Sequence, residues 1–181
     1  MRKLHTIEIR RLSVEDFKKT PKTPLIVVLN DVRSLLNVGS ILRTADAFRV
    51  ERVYLCGITG TPPSNEIHKT ALGAEDSVEW RYFDNAILAV EKLKMEGCKV
   101  YAVEQAEGSI DLRDVSLEND SRYAVVFGNE VKGVEQDVID MCDGCIEIAQ
   151  YGTKHSLNVS VAAGIVIYHI AMRLIDLKKH I

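Results

Sequence analysis

The chain has 181 residues, of which 46% are apolar and 27% charged, and its formal net charge is −3. That length suits one domain burying roughly 70% of its extended-chain surface, so a full core needs no disulfide or metal staple. The composition is that of a soluble globular protein, and the negative total excludes a protein that coats nucleic acid by charge alone.

The charge is segregated. Residues 1–23 hold Arg2, Lys3, Arg10, Arg11, Lys18, Lys19 and Lys22 against Glu8, Glu15 and Asp16, a net of +4 that leaves −7 on the remaining 158 residues. Ser13 to Asp16 reads as a capping box opening a short helix that stops before Pro21. We take 1–23 as a distinct basic segment and 24–181 as a single domain, with Lys178 and Lys179 as a small basic end. From residue 24 the pattern alternates. Residues 25–29 are a continuous apolar run, as in a strand buried on both faces. Residues 41–48 have helical spacing, and 52–56 read as a second strand closed by Gly57. A Gly/Pro/Ser-rich loop spans 57–65, followed by a short helical segment ending near Gly73 and a weaker strand at 78–83. Asp84 is expected to cap a helix that runs through Met95 and stops at Gly97. Residues 99–103, 123–127 and 145–149 are further strands, the last two separated by a helix around 134–141. A long helix begins near Ser156. Strands alternating with helices imply an α/β fold, a mostly parallel sheet with helices on both faces. Its ligand crevice lies beyond the carboxyl ends of the strands.

Residues 157–175 are apolar enough to suggest a membrane span, but Asn158, Ser160, His169 and Arg173 interrupt them, which favours the buried helix of a soluble protein. Residues 1–9 show no apolar signal region, so a cytoplasmic location is expected. Cys56 and Cys98 read as small buried hydrophobes. Cys142 and Cys145 form a C-x-x-C, yet no second pair or histidine cluster completes a zinc site, and packing is the simpler reading.

Three segments at strand ends carry unusual chemistry. The first runs from Asn30 to Ala45 and contains Asn37, Gly39 and Arg43. Asn37 suits a helix cap, Gly39 a close backbone approach, and Arg43 a return to the same end of the crevice, where its planar fork suits a phosphate. The same residues also fit a plain N-cap followed by a solvated arginine. The second is Phe127-Gly128-Asn129-Glu130-Val-Lys-Gly133. It is neither a dinucleotide nor a triphosphate cradle, and it fits either a ligand loop or an ordinary strand-to-helix turn. The third, from Ile146 to Ala162, places Ser156, Asn158 and Ser160 at the start of an apolar helix, with Ser156 suited to N-cap it. His155 beside Ser156 does not make a nucleophile and base, since adjacent side chains seldom face one another.

Taken together, N-x-G-x-x-x-R-T-A (Asn37 to Ala45), F-G-N-E-x-x-G-V (Phe127 to Val134) and S-L-N-V-S-V-A (Ser156 to Ala162) resemble, in order, the motifs of the SpoU/TrmH-type RNA 2′-O-ribose methyltransferases. The small-residue stretch Thr70-Ala-Leu-Gly-Ala74 also looks like the family's. The resemblance covers roughly residues 24–175. It implies an α/β sheet whose C-terminal part threads a deep trefoil knot, a homodimer, and S-adenosylmethionine bound in the knot without a metal. By the same resemblance, Asn37, Arg43, Glu130, Ser156 and Asn158 are the catalytic positions. Phe127, Gly128, Asn129, Gly133, Ile148, Gln150 and Leu157 are the cofactor contacts. The implied reaction is methyl transfer to a ribose 2′-hydroxyl of RNA, tRNA ahead of rRNA. The alternative is a non-catalytic RNA-binding protein of the same fold. Guanidinium is always protonated, so Arg43 suits the positioning of phosphate and hydroxyl better than the role of a base.

Overall fold

A computed structural model describes residues 1–5, 8–9 and 11–179. Of the cations counted above, Arg10 and the side chains of Lys178 and Lys179 lie outside the described residues. Seven strands, β1 (Thr23–Asn30), β2 (Val50–Cys56), β3 (Trp80–Phe83), β4 (Lys99–Val103), β5 (Ile110–Asp111), β6 (Tyr123–Phe127) and β7 (Gly144–Glu147), form one sheet. Their order is β3-β2-β1-β6-β4-β7-β5, and every pairing is parallel.

Alternation along β1 builds both cores. Leu25, Val27 and Leu29 point into a layer formed with α1 (Val14–Lys19), α2 (Leu35–Ala47), α3 (Asn65–Ala71), α4 (Ala74–Ser77) and α7 (Val159–Lys179). Ile26 and Val28 point the other way, onto α5 (Ala86–Met95) and α6 (Gln136–Met141). All five side chains are fully buried, which explains why this strand reads as an unbroken apolar run. The apolar stretch at the C-terminus is α7, long and apolar enough to cross a membrane by length and composition alone. Its Val159, Ala163, Val166, Ile167, Ile170, Ala171 and Leu174 are buried in the first core.

Helix starts differ from the sequence reading in three places, each for a local reason. Ser13 caps α1 as expected, its Oγ accepting from Asp16 N. In α2 the cap is Ser34, and Asn37 sits one turn inside the helix with its backbone N–H donating to Ser34 Oγ. Asn85 rather than Asp84 caps α5, accepting from Leu88 N at 3.0 Å. Asn158 rather than Ser156 begins α7: its Oδ1 accepts from Ser160 N at 2.9 Å, so the helix starts at Val159. Strand β7 also stops early, at Glu147 instead of residue 149. Two-residue β5 and the 3₁₀ turn Leu112–Asp114 have no sequence signature of their own.

The strand order sets the site. The chain steps outward from β1 through β2 and β3, then crosses to build β4 on the other side of β6. The segment after β1 leads to α2 on one face, and the segment after β6 leads to α6 on the opposite face. Adjacent loops that diverge in this way open a crevice between them, the usual ligand position in a parallel sheet.

Candidate active site

Glu130, on the loop after β6, reaches across that switch point to the start of α2. Its carboxylate accepts from Arg33 N at 2.9 Å and Ser34 N at 3.0 Å. These amides precede the first turn of a 13-residue helix, where unsatisfied donors and the positive end of the macrodipole favour an anion. Asn37 Nδ2 donates to Glu130 Oε1 at 3.0 Å, and Asn158 Nδ2 donates to Asn37 Oδ1 at 3.2 Å. One chain of hydrogen bonds therefore joins the three sequence segments, across separations of 93 and 121 residues. Burial opposes the charge on Glu130, but the Arg33 and Ser34 amides, helped by Asn37, hold the carboxyl below its usual range.

The loop carrying Glu130 is stiff. Asn129 and Gly133 exchange two backbone hydrogen bonds, at 3.0 and 2.9 Å. Asn129 Oδ1 accepts from Val131 N and Lys132 N, and its Nδ2 donates to Asp31 O at 2.8 Å. Gly128 is required because a Cβ there would strike the Gly133 carbonyl, and Gly133 has a φ of +70° that glycine adopts freely. The tight turn aims Glu130 at the start of α2.

Beneath this network lies a cleft of about 680 Å³. Of the residues expected to contact a cofactor, Phe127, Gly128, Asn129, Gly133, Ile148 and Leu157 line it. Glu130, Ser156 and Asn158 line it as well. Gln150 does not: β7 ends at Glu147, and the chain leaves the cleft wall after Ile148. The loop after β4, from Glu104 to Glu107, forms a wall of the cleft that the sequence reading missed. It follows the carboxyl end of an apolar strand, the rule that located the other loops, but it lacks their paired glycines.

Arg43 stands apart. Six residues on an α-helix advance it about 9 Å along the axis from Asn37 and turn it to another side. It lines a separate concavity of about 440 Å³ with Ser40, Thr44, Ala47, Phe48, Lys69 and Thr70. Arg43 and Lys69 are exposed, and their side chains make no ion pair or hydrogen bond among the described residues. Gly39 lets α3 approach α2 at this point, since a Cβ would meet Ile67 O and Thr70 Oγ1.

The C-x-x-C thiols are engaged as donors. Cys142 Sγ donates to Val138 O and Cys145 Sγ to Glu104 O, at 3.2 and 3.3 Å. Burial pushes the Cys142 thiol up to about 12 and raises Cys145 too, which suppresses the reactive thiolate. Among the described residues no group of three or more His, Cys, Asp or Glu is placed to hold a metal ion.

A parallel α/β sheet with a cleft at its switch point and a carboxylate–amide network beside it defines a small-molecule site of the α/β class that lacks both standard phosphate cradles. The sequence profile of the SpoU rRNA Methylase family matches residues 24–168. This chain belongs to that family. It is 34% identical over 161 residues to a tRNA (guanosine(18)-2′-O)-methyltransferase of Thermus thermophilus, covering 89% of this chain and 81% of that protein. The solved TrmH/SpoU tRNA modifying enzyme of A. aeolicus superposes with a TM-score of 0.79 at 27% identity, over 92% of this chain and 84% of that one. An AdoMet-bound rRNA methyltransferase from Sinorhizobium meliloti gives 0.79 and 27%, covering 91% of this chain. The present chain spans only 62% of that longer enzyme.

Proposed function

We propose that this protein is an S-adenosylmethionine-dependent RNA methyltransferase that modifies a ribose 2′-hydroxyl, with tRNA as the substrate. The carrying observation is the Glu130–Asn37–Asn158 hydrogen-bond chain at the mouth of the 680 Å³ cleft. The similar Thermus thermophilus protein bears the name of a tRNA 2′-O-methyltransferase, and the Sinorhizobium meliloti structure is AdoMet-bound.

The residues present fit such a cofactor. The volume is within the ordinary 300–1,000 Å³ range of small-molecule sites. Apolar Phe127, Ile148 and Leu157 suit an adenine. When bound, S-adenosylmethionine supplies an electrophilic methyl group on sulfur. Gly128, Asn129 and Gly133 hold the loop beside it. Asn37, oriented by Glu130 on one side and Asn158 on the other, positions polar groups at the cleft mouth. A ribose hydroxyl is a weak nucleophile, so much of the acceleration comes from alignment, worth up to ~7–11 kcal/mol in favourable cases. Arg43 offers a planar fork to the phosphate next to the target ribose.

Because Arg43 does not line its own chain's cleft, we assign it to a site shared between two copies, with the arginine of one protomer facing the cleft of its partner. An exposed stripe on α7 supports a homodimer: Val161, Ile165 and Tyr168 are 50%, 40% and 56% exposed and spaced four and three residues apart. Leu36 on α2 is a further exposed apolar side chain, at 46%. We further propose that the C-terminal part of the fold threads a deep trefoil knot, as the family resemblance implies, and that residues 24–181 are one catalytic domain to which 1–23 add a basic segment. A cytoplasmic location accords with these assignments.

The decisive test is tritiated methyl transfer to unmodified total tRNA and rRNA, followed by nucleoside analysis. 2′-O-methylated nucleosides from tRNA are expected. Methylation confined to rRNA would change the substrate, and no transfer to either would leave the non-catalytic RNA-binding alternative.

A further inference from the structure

The loop after β4 belongs to none of the three motif segments, yet it occupies the middle of the site. In the sheet β4 lies between β6 and β7, so its trailing residues sit between the Gly128–Gly133 loop and the segment leading to α7. Glu104 is tied to both neighbours. Its Oε2 accepts from Val134 N at 3.0 Å, its backbone N donates to Ile146 O at 3.1 Å, and its carbonyl accepts from Cys145 Sγ at 3.3 Å. The other carboxylate oxygen accepts from Gln105 N at 2.9 Å. Gly133 is shaped to this carboxylate, because any Cβ there would collide with Glu104 Oε2. Gln105 then reaches the opposite way: Nε2 donates to His155 O at 2.7 Å, one residue before Ser156.

We propose that Glu104 and Gln105 are positioning residues that set the spacing between the loop bearing Glu130 and the loop bearing Ser156 and Asn158, and so fix the width of the cofactor cleft. The inference rests on the methyltransferase reading above. Glu104 anchors the first loop through a long-range acceptor contact, and Gln105 anchors the second through a single donor. Residues 151–158 are all exposed, so the tie from Gln105 is a tertiary hold on a segment otherwise little buried before α7. Neither residue needs to touch RNA for this role. Their removal is expected to act on cofactor affinity first.

Gln105 is exposed, so its substitution spares the fold. Calorimetric titration with S-adenosylhomocysteine on the full chain should give a Kd raised about 5–10-fold for Gln105→Ala, the scale of one lost hydrogen bond. Gln105→Glu keeps the length but cannot donate to His155 O, and it should show the same loss. Steady-state kinetics should place the effect in KM for S-adenosylmethionine, with KM for tRNA within about twofold. Glu104→Gln retains an acceptor for Val134 N and should stay within about threefold of wild type. Glu104→Ala should speed hydrogen exchange of the Val134 amide. An unchanged Kd in both Gln105 variants, or an effect confined to KM for tRNA, overturns the proposal. Failure of the wild-type protein itself to bind S-adenosylhomocysteine would instead strike the methyltransferase reading.

Discussion

The Glu130 carboxylate accepts from the Arg33 and Ser34 amides and from Asn37 Nδ2, and these three donors favour its ionised form. Burial pulls the other way and loses, so folded Glu130 binds its proton at a lower pH than the unfolded residue, whose ordinary value is 4.5. Its contribution to stability is therefore present above that ordinary value and is lost as pH falls through the lower folded one. Denaturant unfolding of the wild type and Glu130→Gln should show a constant stability gap at neutral pH that shrinks on acidification below about pH 4.5. A gap that grew on acidification would contradict the assigned geometry. Arg43 presents the opposite case, a charge with no side-chain partner among the described residues that lies off its own cleft. Arg43→Ala should abolish methyl transfer while S-adenosylhomocysteine binding, read by calorimetry, stays within about twofold of wild type, since no cleft contact is removed. Near-normal turnover in that variant would remove Arg43 from the chemistry. Position after apolar strands drew attention to the segments carrying Glu130, Asn37 and Asn158, and the family resemblance singled out those three residues within them. Their mutual contacts were not legible, because they span 93 and 121 residues and exist only once the sheet has formed. Glu104 escaped notice for the same reason, since its importance lies in a partner 30 residues away.

Helix boundaries show what local sequence leaves open. Ser156 and Asn158 are both good caps by type, and only the backbone decides which of them supplies the oxygen for the first free amides of α7. Asn158 takes that role, accepting from Ser160 N and Ser160 Oγ at 2.9 and 2.6 Å, while its Nδ2 holds Asn37. Structure and site thus share one side chain. Asn158→Ala should cost about 1 kcal/mol, a fall of roughly 2–4 °C in Tm for a chain of this size. Ser156→Ala should leave Tm within the ±0.5 kcal/mol typical of surface changes. Thermal scans that gave Ser156→Ala the larger loss would return the cap to Ser156. The central strands, by contrast, were plain in the sequence, because residues 25–29 of β1, all of β6 and the later half of β2 are buried and apolar, with the polar Thr23 and Asn30 confined to the ends of β1. β5 was not, since two residues carry no period, and its pairing with β7 depends on a neighbour brought near by the fold.

At the scale of the whole molecule the net charge of −3 conceals a basic segment on an acidic body, and the fold says where that segment lies. It is no detached arm: Phe17 is only 6% exposed and joins the core, Lys22 Nζ sits over its ring, and α1 packs against α4. This layer also carries α2 and α3, and with them Arg43 and Lys69. Lys18 and Lys19 are exposed on α1 and form no ion pair among the described residues. Self-association would present this face twice, and light scattering at micromolar concentration should give the mass of two chains, with Ile165→Glu shifting it toward one. Removing residues 1–22 is a poor probe of RNA contact, because it would strip Phe17 from the core and lower stability together with charge. Neutralising Lys18 and Lys19 to Gln keeps Phe17 and tests charge alone. If both lysines contact phosphates, tRNA affinity should fall and the slope of log K against log salt should flatten by about 1.5, each contact contributing roughly 0.7–0.9. Lys69→Gln should flatten it by less than one more, with no change in S-adenosylhomocysteine affinity, since Lys69 lies outside the cleft. A slope unaffected by all three changes would place the RNA on another face of the sheet, and the positive segment would then owe its charge to solubility rather than to substrate.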